Sequence, residues 1–242
     1  LIFCCYILSV YLNALALTSR SRWRWAAHAL ALGLALCQML AMEYFFLLEL
    51  LRPFIIWLVL AREGLPAKAH LRRTLLNWSP YLAAFSAAFI WRAFFFNFQT
   101  ENYQMVLLDQ LKRDPGSALM QLLVNIGKSL WVVIFQAWGS VFQLPDISTM
   151  GKKTTILAVA VTTAALALAL GYLAVWQRGR AEVHDRKTRW ALSVIALAGL
   201  ALVLGGVPSW SIEVLPELIF ALDRFTLPFL LGVSLLAAGL LS

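Results

Sequence analysis

Seven stretches of this chain are too apolar and too long to be the buried faces of soluble helices: residues 2–18, 26–42, 44–61, 74–96, 154–176, 190–207 and 226–241. They run roughly 17–23 residues, the length that crosses a ~30 Å hydrocarbon layer at 1.5 Å rise per residue. With 62% hydrophobic and 13% charged residues, and a mean hydropathy of +0.78, the chain exceeds what one water-soluble core can absorb. A membrane barrel would alternate lumen-facing polar residues with apolar ones, and that alternation is missing. The expected fold class is all-α: a polytopic integral membrane helical bundle of about seven spans, forming a single transmembrane domain over residues 1–242.

The chain begins at Leu1 inside an apolar stretch and stops at Ser242 before any polar exit, so it reads as the middle of a longer protein. Residues 1–18 lack the basic leading region and small-residue cleavage site of a signal peptide. The net charge of +8 sits in short clusters between the apolar stretches, as in cytoplasmic loops, which favours membrane topology and anionic lipid as partners over nucleic acid. Cys4, Cys5 and Cys37 all fall within apolar stretches and give no disulfide framework.

Three connections carry the positive charge. Arg20, Arg22 and Arg24 form the first; residues 62–73 hold four bases against one acid; residues 178–189 hold five against two. Grouping these on one side sends Glu43, the segment 97–153 and residues 209–224 to the opposite, outer face. The last of these carries Glu213, Glu217 and Asp223 against Arg224.

Residues 119–143 fit this scheme least well, because a single span there would move the basic connection 178–189 outward. The expectation is an interfacial or re-entrant helical segment within the outer loop 97–153, with an eighth span as the alternative. Gln121, Asn125, Lys128, Ser129, Gln136, Ser140 and Gln143 recur at mostly helical spacing and make one polar stripe. Asp114-Pro115-Gly116 reads as a turn into this helix, and Gly127 or Gly139 could break it. Small-residue pairs four apart, Ala160/Ala164, Ala165/Ala169, Ala167/Gly171 and Ala201/Gly205, read as helix contacts. Trp23, Trp25, Trp78, Tyr81 and Trp190 read as interfacial belts.

Within 44–61, Glu49 and Arg52 stand three residues apart. An ionisable group in hydrocarbon costs at least ~2.5–3.5 kcal/mol, so it needs a partner or a task. At three-residue spacing the two can pair. Pro53 withholds the hydrogen bond owed to the Glu49 carbonyl and predicts a kink beside the pair. Two roles stay open: an ion pair that fixes helix register, or groups facing a cavity and touching a ligand's anionic or hydroxyl groups, where the arginine fork suits phosphate. Arg92, Asp223, Arg224 and Glu43 are expected at the same outer level, each alone an interfacial anchor and together a mixed-charge rim. His28, His70 and His184 have no metal-ligand spacing, so no metal is expected, and no cofactor-binding motif is present.

The pattern Glu43-Tyr44, then Glu49-Leu-Leu-Arg52-Pro53, an amphipathic outer segment, and Asp223-Arg224-Phe225-Thr-Leu-Pro228-Phe229 resembles polytopic bacterial membrane glycosyltransferases of the GT-C type. The resemblance implies an outward-facing site, a polyprenyl-phosphate-linked sugar as donor, and a location in the bacterial cytoplasmic membrane. It also implies acidic catalytic residues in a first outer loop that would precede Leu1. On it, Glu43, Glu49, Arg52, Arg92, Asp223 and Arg224 become candidate substrate-binding residues, with Arg52, Arg92 or Arg224 balancing phosphate charge. The alternatives are a transporter or flippase using Glu49 and Arg52, or a non-catalytic assembly subunit.

Overall fold

The computed structural model describes residues 2–19, 22–64, 66–95, 106–140, 151–178, 184–218 and 222–241. Gln143, Arg20 and parts of the connections 97–153 and 178–189 lie outside them. Every regular element among the described residues is helical. Apart from the single 3₁₀ turn Ala61–Glu63 and the π turn Trp91–Phe95, they are in chain order α1 Ile2–Thr18, α2 Trp23–Ala41, a 3₁₀ helix Glu43–Leu51, α3 Arg52–Leu60, α4 Ala67–Ile90, α5 Val106–Arg113 and α6 Pro115–Trp131. Then follow α7 Lys152–Arg178, α8 His184–Ser211, a second 3₁₀ helix Asp223–Phe229 and α9 Leu230–Leu240.

Four described stretches are long and apolar enough to cross a membrane: Trp23–Ala41, Pro115–Gly139, Trp190–Ser211 and Asp223–Leu240. The distribution of side chains points the same way. On α1, Tyr6, Ser9, Asn13 and Ala16 are buried while Ile7, Leu8, Tyr11 and Leu15 are exposed. Polar groups turn inward and large apolar ones outward, the reverse of a water-soluble helix. In lipid, interhelical hydrogen bonds replace the hydrophobic effect as the glue between helices.

Residues 44–61 form two different helices joined at Arg52, and the reason is local. Pro53 cannot donate to the Glu49 carbonyl, so the Arg52 N–H bonds that carbonyl instead, three residues back. The acceptor that the proline was expected to leave open is therefore filled. In a 3₁₀ helix residues three apart eclipse. Two rows are accordingly buried, Phe45/Leu48/Leu51 and Phe46/Glu49/Arg52, while the row Tyr44/Leu47/Leu50 is half-buried. The first buried row meets Tyr6 of α1 and then Leu197 and Ala201 of α8, so this segment lies between α1–α4 and α8–α9. Pro80 inside α4 is compensated in a similar way, because the Ser79 hydroxyl donates to the Leu76 carbonyl at 2.9 Å.

Residues 115–139 correct one expectation. Asp114 caps α6 as the turn predicted, its carboxylate accepting the Gly116 and Ser117 N–H groups at 3.2 Å with Pro115 in the first turn. However, neither Gly127 nor Gly139 breaks the helix, which continues through a π turn Val132–Gln136 into Ala137–Ser140. A glycine costs a helix only ~1 kcal/mol, which packing overrides. The polar stripe divides: Asn125 and Ser129 are buried, and Gln121, Lys128 and Gln136 are exposed beside Leu119, Leu123, Trp131 and Phe135. Ser129 has a specific partner, accepting the Trp210 indole N–H at 3.1 Å while its own hydroxyl donates to the Asn125 carbonyl. Ser129→Ala leaves that buried indole N–H unpaired. We expect a loss of ~1–3 kcal/mol in detergent-solubilised unfolding, and Trp210→Phe in the same background should recover most of it.

Of the small-residue pairs, Ala201/Gly205 is a contact: Ala201 is fully buried and Gly205 lies against Pro228. The α7 pairs whose two members are both described, Ala160/Ala164 and Ala167/Gly171, are not. Ala160, Ala164, Ala165, Ala167 and Gly171 are all exposed, and no described residue of that helix is buried. Small residues permit close approach without causing it.

Candidate functional site

The Glu49–Arg52 pair is the centre of a closed polar cluster. Arg52 is 0% and Glu49 1% exposed. The Arg52 Nε and Nη2 donate to the two carboxylate oxygens, the second at 3.0 Å, giving a two-pronged ion pair. Nη2 also donates to Ser9 Oγ at 2.9 Å and Nη1 to the Ser9 carbonyl at 3.5 Å. The guanidinium carbon lies 4.0 Å from the centre of the Tyr81 ring. The Ser9 hydroxyl in turn donates to the Ala31 carbonyl at 2.5 Å. Thus α1, α2, the first 3₁₀ helix, α3 and α4 are all tied to one cation.

Four further contacts extend this cluster. Asn13 donates to the Tyr81 hydroxyl at 2.9 Å and stands 3.4 Å from His28 Nδ1. Tyr6 donates to the Leu48 carbonyl at 2.8 Å, and Gln38 to the Phe45 carbonyl at 3.0 Å. The 3₁₀ geometry also sets the pair's depth. At ~2.0 Å rise per residue Glu49 lies ~10 Å and Arg52 ~16 Å along the axis from Tyr44, deeper than the ~7 and ~12 Å an α-helix gives. Both groups are sealed within the bundle.

The other four candidate residues gather at one end. Arg92 pairs with the Glu43 carboxylate at 2.5 Å and donates to the Leu40 carbonyl at 3.1 Å. Tyr44 packs edge-on against Phe225 with ring centres 4.8 Å apart, and the Arg224 guanidinium lies 5.9 Å from the Tyr44 ring and 5.2 Å from the Phe225 ring. Asp223 and Arg224 are exposed. Segments about 50 and 130 residues apart in sequence therefore meet in one rim of mixed charge around an aromatic pair. Neither a family model, nor a curated protein, nor a solved structure matches this chain.

Sequence reasoning missed Ser9, Asn13 and His28 as members of the polar cluster. Ser9 and Asn13 stand four apart in an otherwise apolar stretch, a helical-face signal that was available. Tyr81 was expected at an interfacial belt, yet it is 1% exposed in the core of α4. One apolar face buries its ring while Asn13 satisfies its hydroxyl, as a buried tyrosine requires.

Proposed function

We propose that this chain is the membrane-embedded part of a glycosyltransferase-like protein of the bacterial cytoplasmic membrane, with about seven spans. Its substrate in this proposal is a polyprenyl-phosphate-linked sugar, held by its phosphate at the outer-leaflet end of the bundle. The observation that carries the proposal is the convergence of Glu43, Arg92, Asp223 and Arg224 around Tyr44 and Phe225. Two arginine forks suit a phosphodiester, and aromatic faces beside them suit a sugar or the first isoprene units. Arg52 and Glu49 hold the bundle in register in this scheme and do not touch the ligand, because the pair is enclosed and the guanidinium already makes four hydrogen bonds inside the bundle.

The test is binding of a polyprenyl-phosphate sugar by the full chain reconstituted in nanodiscs. Arg92→Ala and Arg224→Ala should each weaken binding by about tenfold, the value of one charge-assisted contact. Unchanged affinity in the double variant removes this reading. A second reading, a non-catalytic assembly subunit, is favoured by the sealing of the Glu49–Arg52 pair. It predicts no lipid-sugar binding in the parent protein either. A transport path through Glu49 and Arg52 finds less support, since both residues are buried and neutralise each other.

A further inference from the structure

A second cleft opens at the opposite end of the bundle from the mixed-charge rim, and no step of the proposed function uses it. Its volume is about 780 Å³, and it is formed where the ends of α1 and α3 meet the beginnings of α2 and α4. That size accommodates a small molecule or a lipid headgroup. Among its lining residues are Arg24, Trp25, His28, Glu63, Arg73 and Asn77. We infer that this cleft is a binding site for a phosphate-bearing anion, a phospholipid headgroup or a soluble phosphate ester.

The charge balance comes first. Arg73 neutralises Glu63 through one guanidinium nitrogen and keeps the rest of its five N–H donors. Arg24 makes no ion pair among the described residues; its guanidinium lies 4.9 Å from the Trp25 ring centre. The lining therefore carries two cations against one acid, and Arg22, Lys68 and Arg72 add positive charge on the same connections. An anion entering the cleft meets an unneutralised arginine.

Hydrogen-bonding capacity agrees with the charge. Asn77 uses one amide hydrogen on the Arg73 carbonyl at 2.7 Å and retains a second. Asn13 gives one amide hydrogen to the Tyr81 hydroxyl, and its amide nitrogen stands 3.4 Å from His28 Nδ1. His28 itself lines the cleft and adds an imidazole to its polar wall. The site's floor is thus held by the same network that holds Arg52. Trp23 and Trp25, 78% and 67% exposed at the start of α2, mark this level as the headgroup region, where anionic phosphates are concentrated.

The experiment uses the full chain in nanodiscs of phosphatidylcholine, with phosphatidylglycerol added in one arm and soluble glycerol 3-phosphate in the other. Retained ligand is counted by native mass spectrometry. Binding in either arm is expected, and the arm that binds identifies whether the phosphate is lipid-borne or soluble. Arg24→Gln changes an exposed residue, so the fold is kept, and it should weaken binding by about tenfold. Arg72→Gln, on the same basic surface but outside the cleft, should leave affinity within about twofold, an exposed charge being screened by solvent. Binding in neither arm overturns the inference. Equal losses for Arg24→Gln and Arg72→Gln overturn it as well, because they mark diffuse surface attraction in place of a site.

Discussion

Glu49→Ala should destabilise the protein by about 3–5 kcal/mol, the largest single effect expected in this chain. The substitution removes the counter-charge of a fully enclosed guanidinium and leaves it uncompensated in the bundle. Ser9 and Tyr81 remain beside Arg52, yet neither carries negative charge. Arg52→Ala strands the carboxylate in the same way. The informative comparison is Glu49→Leu with Arg52→Leu together, which should recover to within about 1–2 kcal/mol of the parent, or exceed it, since both desolvated charges are gone. Unfolding in mild detergent, followed by near-ultraviolet circular dichroism, reads all three variants. If the double variant is as unstable as the singles, the pair contributes something beyond mutual neutralisation. The cost of a double variant that folds should appear as loss of specificity among helix packings, because Arg52 connects α1, α3 and α4 through directional bonds.

The second large effect lies in the other half of the bundle. A Cβ on Gly205 would stand 2.7 Å from the Pro228 carbonyl oxygen and 3.0 Å from its carbon. Both are backbone atoms of the second 3₁₀ helix, so no side-chain rotation relieves the contact. Gly205→Ala must push Asp223–Phe229 away from α8 and should cost ~1–3 kcal/mol, with Val costing more. Gly199, six residues earlier, has open space around the same position. Gly199→Ala should be neutral or stabilise by ~0.5–1 kcal/mol through helix propensity. The opposite signs of two identical substitutions in one helix, measured in the same unfolding assay, isolate the close approach. Because Phe225 lies on the displaced segment and packs on Tyr44, Gly205→Ala should also weaken any ligand held at the Glu43–Arg92–Arg224 rim.

The rim and the polar cluster were legible to different degrees. Glu49 and Arg52 announce themselves because charge is expensive in an apolar stretch and three-residue spacing is local. Arg92 meeting Glu43, and Arg224 meeting Tyr44, were expected only as sharing a level, since basic connections fix which ends lie together and not which side chains touch. The roles of Ser9, Asn13 and Tyr81 were not legible. Each is a polar residue tolerated singly in an apolar stretch, and its partner lies on another helix. Gln38 is a similar case, donating to Phe45 across the connection between α2 and the first 3₁₀ helix.

The same contrast runs through the backbone. Asp114-Pro115-Gly116 and Pro53 act over three or four residues, so their consequences could be read from the chain: a capped helix and an interrupted one. What Pro53 did to the helix before it could not. The switch from α to 3₁₀ geometry over Glu43–Leu51 is stabilised by burying two rows against different neighbours, Phe45/Leu48/Leu51 against α1 and α8 and Phe46/Glu49/Arg52 against α1, α2 and α4. Periodicity in the sequence shows no such preference, because almost every residue there is apolar.

The sequence by itself determined the helical class, the apolar segments and the presence of a costly charge pair, all consequences of transfer energies and short-range spacing. Only the tertiary structure decided that this pair is sealed by Ser9 and Tyr81, that Gly205 admits Pro228, and that the α7 small residues face outward. Those outcomes depend on which helices meet, and the hydrophobic effect, being non-directional, leaves that choice to hydrogen bonds and shape.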